Sequence, residues 1–150
     1  MRALLLVGFL SAAMISVADA RVVLDKSIAG VKLGMRQAAV EERLGKPIKS
    51  RPTVVEGLGE GCCIYTYRGK IEVDMQNRKV ISISTSSGRH RAPDGTGVGT
   101  SRRVVRERFP DAQCFGGGCT LTECLTDHRI TYVRFRDGLV ARIGVSYANC

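Results

Sequence analysis

The sequence predicts an α+β fold: two tandem repeats of a short helix plus an antiparallel β-meander, forming one layered domain of sheet and helix stabilised by disulfides. Three observations carry this expectation. A glycine-punctuated turn and helix-like run, Gly30-Val31-Lys32-Leu33-Gly34-Met35 leading to Arg43-Leu44-Gly45, returns 65 positions later as Gly95-Thr96-Gly97-Val98-Gly99-Thr100 leading to Arg108-Phe109-Pro110. In that register Gly30/Gly95, Gly34/Gly99, Val40/Val105, Glu42/Glu107 and Arg43/Arg108 are identical. A β pattern also recurs at a spacing of 60, with Val73, Val80 and Ile83 returning as Val133, Val140 and Ile143. Recurrence at fixed spacing is the signature of a duplicated supersecondary unit. Finally, an even set of six cysteines fits a disulfide framework.

The chain opens with a positive Arg2, an uncharged and mostly apolar stretch from Ala3 to Val17, and the small-residue triplet Ala18-Asp19-Ala20. That order is a secretory signal peptide over residues 1–20, cleaved after Ala20, with a secreted or periplasmic destination. The competing uncleaved anchor is disfavoured because the apolar run is short for a span of about 20 residues. No second hydrophobic stretch follows, so no transmembrane segment is expected after cleavage. Arg21 at the new start offers no thiol for lipid attachment. Cleavage removes Arg2 and Asp19 together and leaves the formal charge at +9.

The first repeat is placed at 21–85. Val40 and Leu44 lie four apart on one face of a helix over Gln37–Leu44, Gly45 caps it and Pro47 stops it. Ile64 to Arg68 suggests a strand. Ile71, Val73 and Met75 then alternate with Glu72, Asp74 and Gln76, and a turn near Asn77-Arg78 leads into Val80 to Ser84. Residues 86–94, with Ser86-Ser87-Gly88, Arg89-His90-Arg91 and Pro93, read as an exposed linker. The second repeat takes 95–150. Thr100 or Ser101 caps a helix carrying Val105 and Phe109, and Pro110 ends it. Thr131, Val133 and Phe135 alternate with Tyr132, Arg134 and Arg136, Asp137-Gly138 makes a hairpin turn, and Leu139 to Tyr147 returns. Both helices are short and need a sheet to pack on. The other side of that sheet is expected to face solvent.

Cys62, Cys63, Cys114, Cys119, Cys124 and Cys150 allow 15 connectivities for three disulfides. Cys114 to Cys119 is the favoured local pair, because Phe115-Gly116-Gly117-Gly118 forms a flexible loop between them. Cys62 and Cys63 then seek Cys124 and Cys150 in either order, which ties the two halves together. Cys114, Cys119, Cys124 and His128 have a ladder-like spacing that suggests a metal site, but the tight C-x-x-C pairs of structural zinc are missing and an oxidising compartment opposes free thiolates. No metal and no cofactor is expected.

The leading functional expectation is a non-catalytic protein-binding module, of inhibitor-like or envelope-accessory type. It would act through the polar sheet face, with Tyr132, Arg134, Arg136 and Arg142 on a positive half and Glu72 and Asp74 on a negative half. Its partner would be another exported or envelope protein. The alternative is a cationic protein binding an anionic envelope polymer through Arg89, His90, Arg91, Arg102, Arg103 and Arg106; nucleic acid is not expected as a partner. A third class is a small secreted hydrolase using His90 or His128, each followed by an arginine. No G-x-S-x-G, H-E-x-x-H or C-x-x-C motif supports catalysis, so no catalytic residue is assigned. Gly95-x-Gly97-x-Gly99 lacks the Lys-Ser/Thr of a phosphate-binding loop.

The first helix motif, Leu33-Gly34-Met35-Arg36-Gln37-Ala38-Ala39-Val40-Glu41-Glu42-Arg43-Leu44-Gly45-Lys46-Pro47, resembles the signature of the small SmpA/OmlA-type envelope lipoprotein domain, though without the lipidation Cys. The tandem arrangement is similar to the β-lactamase-inhibitor-protein fold, in which two such units form a curved protein-binding surface. Gly34, Met35, Val40, Leu44, Gly45 and Pro47 carry the resemblance. The second copy keeps Gly99 and Val105 but has Thr100 and Phe109-Pro110 at the other matched places. The resemblance implies a curved protein-binding fold and transfers no contact residue.

Overall fold

Apolar residues at every second position decide which side of the sheet is the core. In the computed structural model, which describes residues 21–52, 63–124 and 127–148, Ile71, Val73 and Met75 are buried while Glu72, Asp74 and Gln76 between them are half-exposed. Residues 1–20, where a signal peptide is expected, and Cys62 and Cys150 lie outside the described residues.

A small antiparallel sheet comes first, from β1 (Val22–Val23), β2 (Ser27–Ile28) and β3 (Val31–Lys32). Helix α1 (Gln37–Leu44) follows, then β4 (Lys49–Arg51), β5 (Ile64–Tyr67), β6 (Ile71–Gln76) and β7 (Lys79–Thr85). After helix α2 (Arg102–Arg108) come β8 (Gln113–Phe115), β9 (Gly118–Thr120), β10 (Arg129–Arg136) and β11 (Leu139–Tyr147). The last eight strands form one antiparallel sheet in the order β4-β5-β6-β7-β11-β10-β9-β8. Its centre is the pairing of β7 with β11, where Ile83 lies opposite Val145 and Thr85 opposite Ile143.

Both helices enter through the same hydrogen-bond pattern. The Gly34 N–H donates to the Val80 carbonyl at 2.8 Å, Val80 N–H to Met35 at 3.0 Å, and Gln37 N–H to Arg78 at 3.1 Å. The Gly99 N–H donates to Val140, Val140 N–H to Thr100 and Arg102 N–H to Gly138, all at 2.8 Å. Gly34 and Gly99 take φ of +78° and +90°, conformations that side chains resist. Register shifts also fall at corresponding places, between Asp74 and Met75 and between Arg134 and Phe135. Such bulges bend and twist the strands they interrupt.

The helices bury Val40 and Val105 against the inner face, beside Val73, Val80, Ile83, Val133, Val140 and Ile143. Ser101, not Thr100, caps α2, its hydroxyl accepting from the Val104 N–H at 3.3 Å. Thr100 is buried and accepts instead from the Gly97 N–H. A polar knot ties the first sheet to the second. The Asp25 carboxylate accepts from the hydroxyls of Thr122 and Thr131 at 2.5 and 2.8 Å, and its N–H donates to Thr131.

Two expectations need correction. Segment 86–94 is exposed at Gly88, Arg89, Arg91, Pro93 and Asp94 but not throughout: His90 is 8% exposed and Ala92 is buried, because the Arg91 carbonyl accepts from Val22 N–H and Ala92 N–H donates to Thr96. The Phe115–Gly118 stretch is not a floppy loop but the turn of the β8–β9 hairpin, with Gly116 and Gly117 supplying φ of +50° and +86°. Cys114 and Cys119 face each other across it and are joined by a disulfide, their Cα atoms 4.0 Å apart. Cys63 and Cys124 each take part in a disulfide as well. Among the described residues no helix is long and apolar enough to cross a membrane.

Candidate functional site on the open sheet face

With helices and the small sheet against one face, strand alternation sends the intervening side chains to the other. Residues opposite each other on antiparallel neighbours share a face. One row therefore crosses the sheet as Lys49, Thr66, Glu72, Ser84, Gly144, Tyr132, Thr120 and Gln113. Beside it runs Arg51, Ile64, Asp74, Ser82, Ser146 and Ile130, and on the other side Arg142, Arg134, Gly118 and Phe115.

The row positions bring together residues far apart in sequence. Arg142 donates to the Glu72 carboxylate and, at 3.3 Å, to the Ser84 hydroxyl, while Arg51 stands 3.7 Å from the same carboxylate. The expected negative and positive halves thus meet at their boundary, and Glu72 and Arg142 neutralise each other. Asp74 is partly enclosed, and its Oδ1 has no hydrogen-bond partner among the described residues. Burial pushes its carboxyl above the ordinary value of 3.8, against the opposing pull of the Met75 N–H and Arg51.

The β8–β11 half is built differently. Gly144 leaves room for the Tyr132 ring to lie across the sheet: a Cβ at 144 would come within 2.3 Å of it. Gly118 does the same for Arg134, whose Cδ would be 3.1 Å from a Cβ there. Tyr132, Gly118 and Arg134, with Phe115, Ile130, Ser82 and Ser146, line an open concavity of about 400 Å³. Phe115 is 81% exposed at the end of the disulfide-linked hairpin. Arg136 stands at the hairpin end opposite Leu139 and does not line the concavity.

Tyr132 and Arg134 are therefore brought together, with Arg142 directly opposite Arg134 and Glu72 and Asp74 on the same face three strands away. Phe115, Ile130 and the two glycine floors were missed, because only the pairing register reveals them. The basic set is divided. Arg91 donates to the carbonyls of Gly95 and Val98, Arg102 stacks 4.6 Å over the Phe135 ring, and Arg103 pairs with Glu107. Arg89 and Arg106 are exposed, whereas His90 is buried and drops out of any exposed basic patch. His128 is exposed just before β10. Disulfides occupy Cys114, Cys119 and Cys124, which removes the thiolates of the metal ladder with His128. Among the described residues no cluster of His, Cys, Asp and Glu is arranged to hold a metal.

No family model matches the sequence, and no curated protein matches it. Two solved structures are similar in fold. One is an extracellular protein containing a SCP domain from Bacillus anthracis str. Ames, with a TM-score of 0.54 at 11% identity over 76% of this chain; the match spans 43% of the Bacillus protein. The other is the uncharacterized protein yfeY from Escherichia coli, with a TM-score of 0.54 at 11% identity, covering 81% of this chain and 97% of that one. Neither is named as a member of the families that the first helix motif resembles.

Proposed function

We propose that this chain is an exported, non-catalytic binding module that engages a protein partner through the open face of its eight-stranded sheet. The observation that carries this reading is the concavity holding Tyr132, Arg134 and the exposed Phe115 on a rigid, disulfide-linked support. Tyrosine, phenylalanine and arginine are the residue types enriched in protein interfaces, and a large exposed aromatic ring is costly to leave in water without use. Disulfide bonding supports export, as does the extracellular description of the Bacillus neighbour. The matched helix entries and bulges support reading the two halves as tandem copies of one unit. The likeness of the first helix motif to envelope lipoprotein domains agrees with that destination.

The test uses the oxidised mature chain, immobilised and exposed to exported and envelope fractions, with any retained protein identified, purified and re-bound. Retention by the wild type and loss in the Tyr132→Ala/Arg134→Glu variant, at unchanged circular dichroism, is the expected result. Equal retention by the variant rejects the face. Diffuse anionic material that modest salt releases, and that Arg102→Glu/Arg103→Glu/Arg106→Glu abolishes, establishes the polyanion alternative instead.

A further inference from the structure

We infer that the concavity between Tyr132, Arg134 and Phe115 reads one side-chain carboxylate, an Asp or Glu, carried between apolar residues on an extended segment of the partner protein. The inference rests on the open-face role and specifies its chemistry. Three guanidinium groups lie in the rows of this face, and two of them are committed. Arg142 is held by Glu72 and Ser84, and Arg51 shares the Glu72 carboxylate. Arg134 has no ion-pair partner among the described residues, is exposed, and lies along the Gly118 floor.

A cation already restrained in direction, open to water and lacking a counter-ion is the natural receptor for a carboxylate. Guanidinium and carboxylate make two parallel charge-assisted hydrogen bonds in one plane, and little further ordering is needed when the fork is already placed. The flanking walls set what accompanies the charge. Ile130, the Tyr132 ring and Phe115 line the concavity around Arg134, so apolar neighbours of the carboxylate gain contact. About 400 Å³ admits a few side chains of an extended segment, not a folded lobe. A polyanion would require several uncommitted cations in series, and the concavity offers one. The overall charge of +9 draws an acidic segment toward the face.

The probes are acetylated, amidated pentapeptides Ala-Leu-Glu-Leu-Ala, Ala-Leu-Gln-Leu-Ala and Ala-Leu-Lys-Leu-Ala, with a fourth Gln peptide ending in a free carboxylate. They are titrated into the isotope-labelled, oxidised mature chain and followed by NMR. The Glu peptide is expected to shift the Arg134 Nε–H and Tyr132 ring signals and to bind about tenfold more tightly than the Gln peptide. Arg134→Gln should erase that difference, and Gly144→Ala should weaken the Glu peptide by lifting the Tyr132 ring. Equal titration by the Glu and Gln peptides at the open face overturns carboxylate selectivity while leaving the face role intact. Shifts confined to α2, or a free C-terminus substituting fully for the Glu side chain, overturn the inference as well. Loss of the face role itself is read separately, from the retention experiment with the Tyr132→Ala/Arg134→Glu variant.

Discussion

The β4–β7 and β8–β11 halves of the sheet share strand order, helix entry and bulge position, yet they treat their open-face side chains in opposite ways. At positions 60 apart, Glu72 answers to Tyr132, Asp74 to Arg134 and Ser84 to Gly144. The first half has its charge already answered within the sheet, with Glu72 gripped by Arg142 of the neighbouring half and approached by its own Arg51. The second half replaces potential partners with glycine floors, so that Tyr132 and Arg134 are restrained by shape while Arg134 stays exposed. Similar backbone arrangements can therefore carry a closed electrostatic joint on one side and, on the other, an exposed arginine unpaired among the described residues. The difference lies in whether each polar group already has its counterpart.

The strongest way to break the comparison is to fill a floor. Gly118→Ala places a Cβ 2.7 Å from the backbone carbonyl of Val133, an atom that cannot swing aside. Overpacking of this kind costs about 2 kcal/mol. Urea unfolding should show this loss, and a variant as stable as wild type would mean that β9 relaxes away from β10. A smaller effect sharpens the contrast. Glu72→Gln removes the anion from the joint, costs about 1 kcal/mol for a partly exposed pair, and frees Arg142. Affinity for the Glu pentapeptide should then rise, and unchanged affinity would show that Arg142 cannot reach the concavity.

The smallest effect concerns Asp74. Its carboxyl is raised in the folded chain, so the native state holds the proton more tightly than the unfolded state. Stability therefore falls as pH climbs from about 3.8 through the raised folded value, and that penalty persists at neutral pH. Asp74→Asn should stabilise the protein by less than about 1 kcal/mol at pH 7 and leave it unchanged below the ordinary carboxyl range. Thermal melts across that window check both the sign and the position of the effect.

Much of the frame was legible because it depends on local patterning. Period-two alternation exposed β6, β7, β10 and β11, and Asp137-Gly138 marked its turn. Gly45 and Pro47 bounded α1, and the short Cys114 to Cys119 separation indicated their disulfide. Strand β4, all exposed as Lys49-Ser50-Arg51, has no apolar signal and is created only by pairing with β5. Hairpin β8–β9 was hidden by its glycines, which look like slack but supply the positive φ of a tight turn. Burial of His90 depends on β1 reaching Arg91, a contact with no local trace. At the candidate site, Tyr132 and Arg134 were visible as polar-face residues, but their exposed neighbour Phe115 was not. The Glu72 to Arg142 joint, 70 residues apart, requires the β7–β11 register to be known.

That β7–β11 register also bears on whether the β8–β11 half can be dissected out. The strand that carries Gly144 takes its outer neighbour from the first half of the chain, so removing residues before 86 would strip β11 along Ile143 to Ser146 and leave a raw, adhesive border. Severing the peptide between Thr85 and Gly95, by contrast, spares every rung of the seam. A nicked molecule would keep its two fragments clasped, and fragments made separately would be expected to reassemble by complementation rather than work alone.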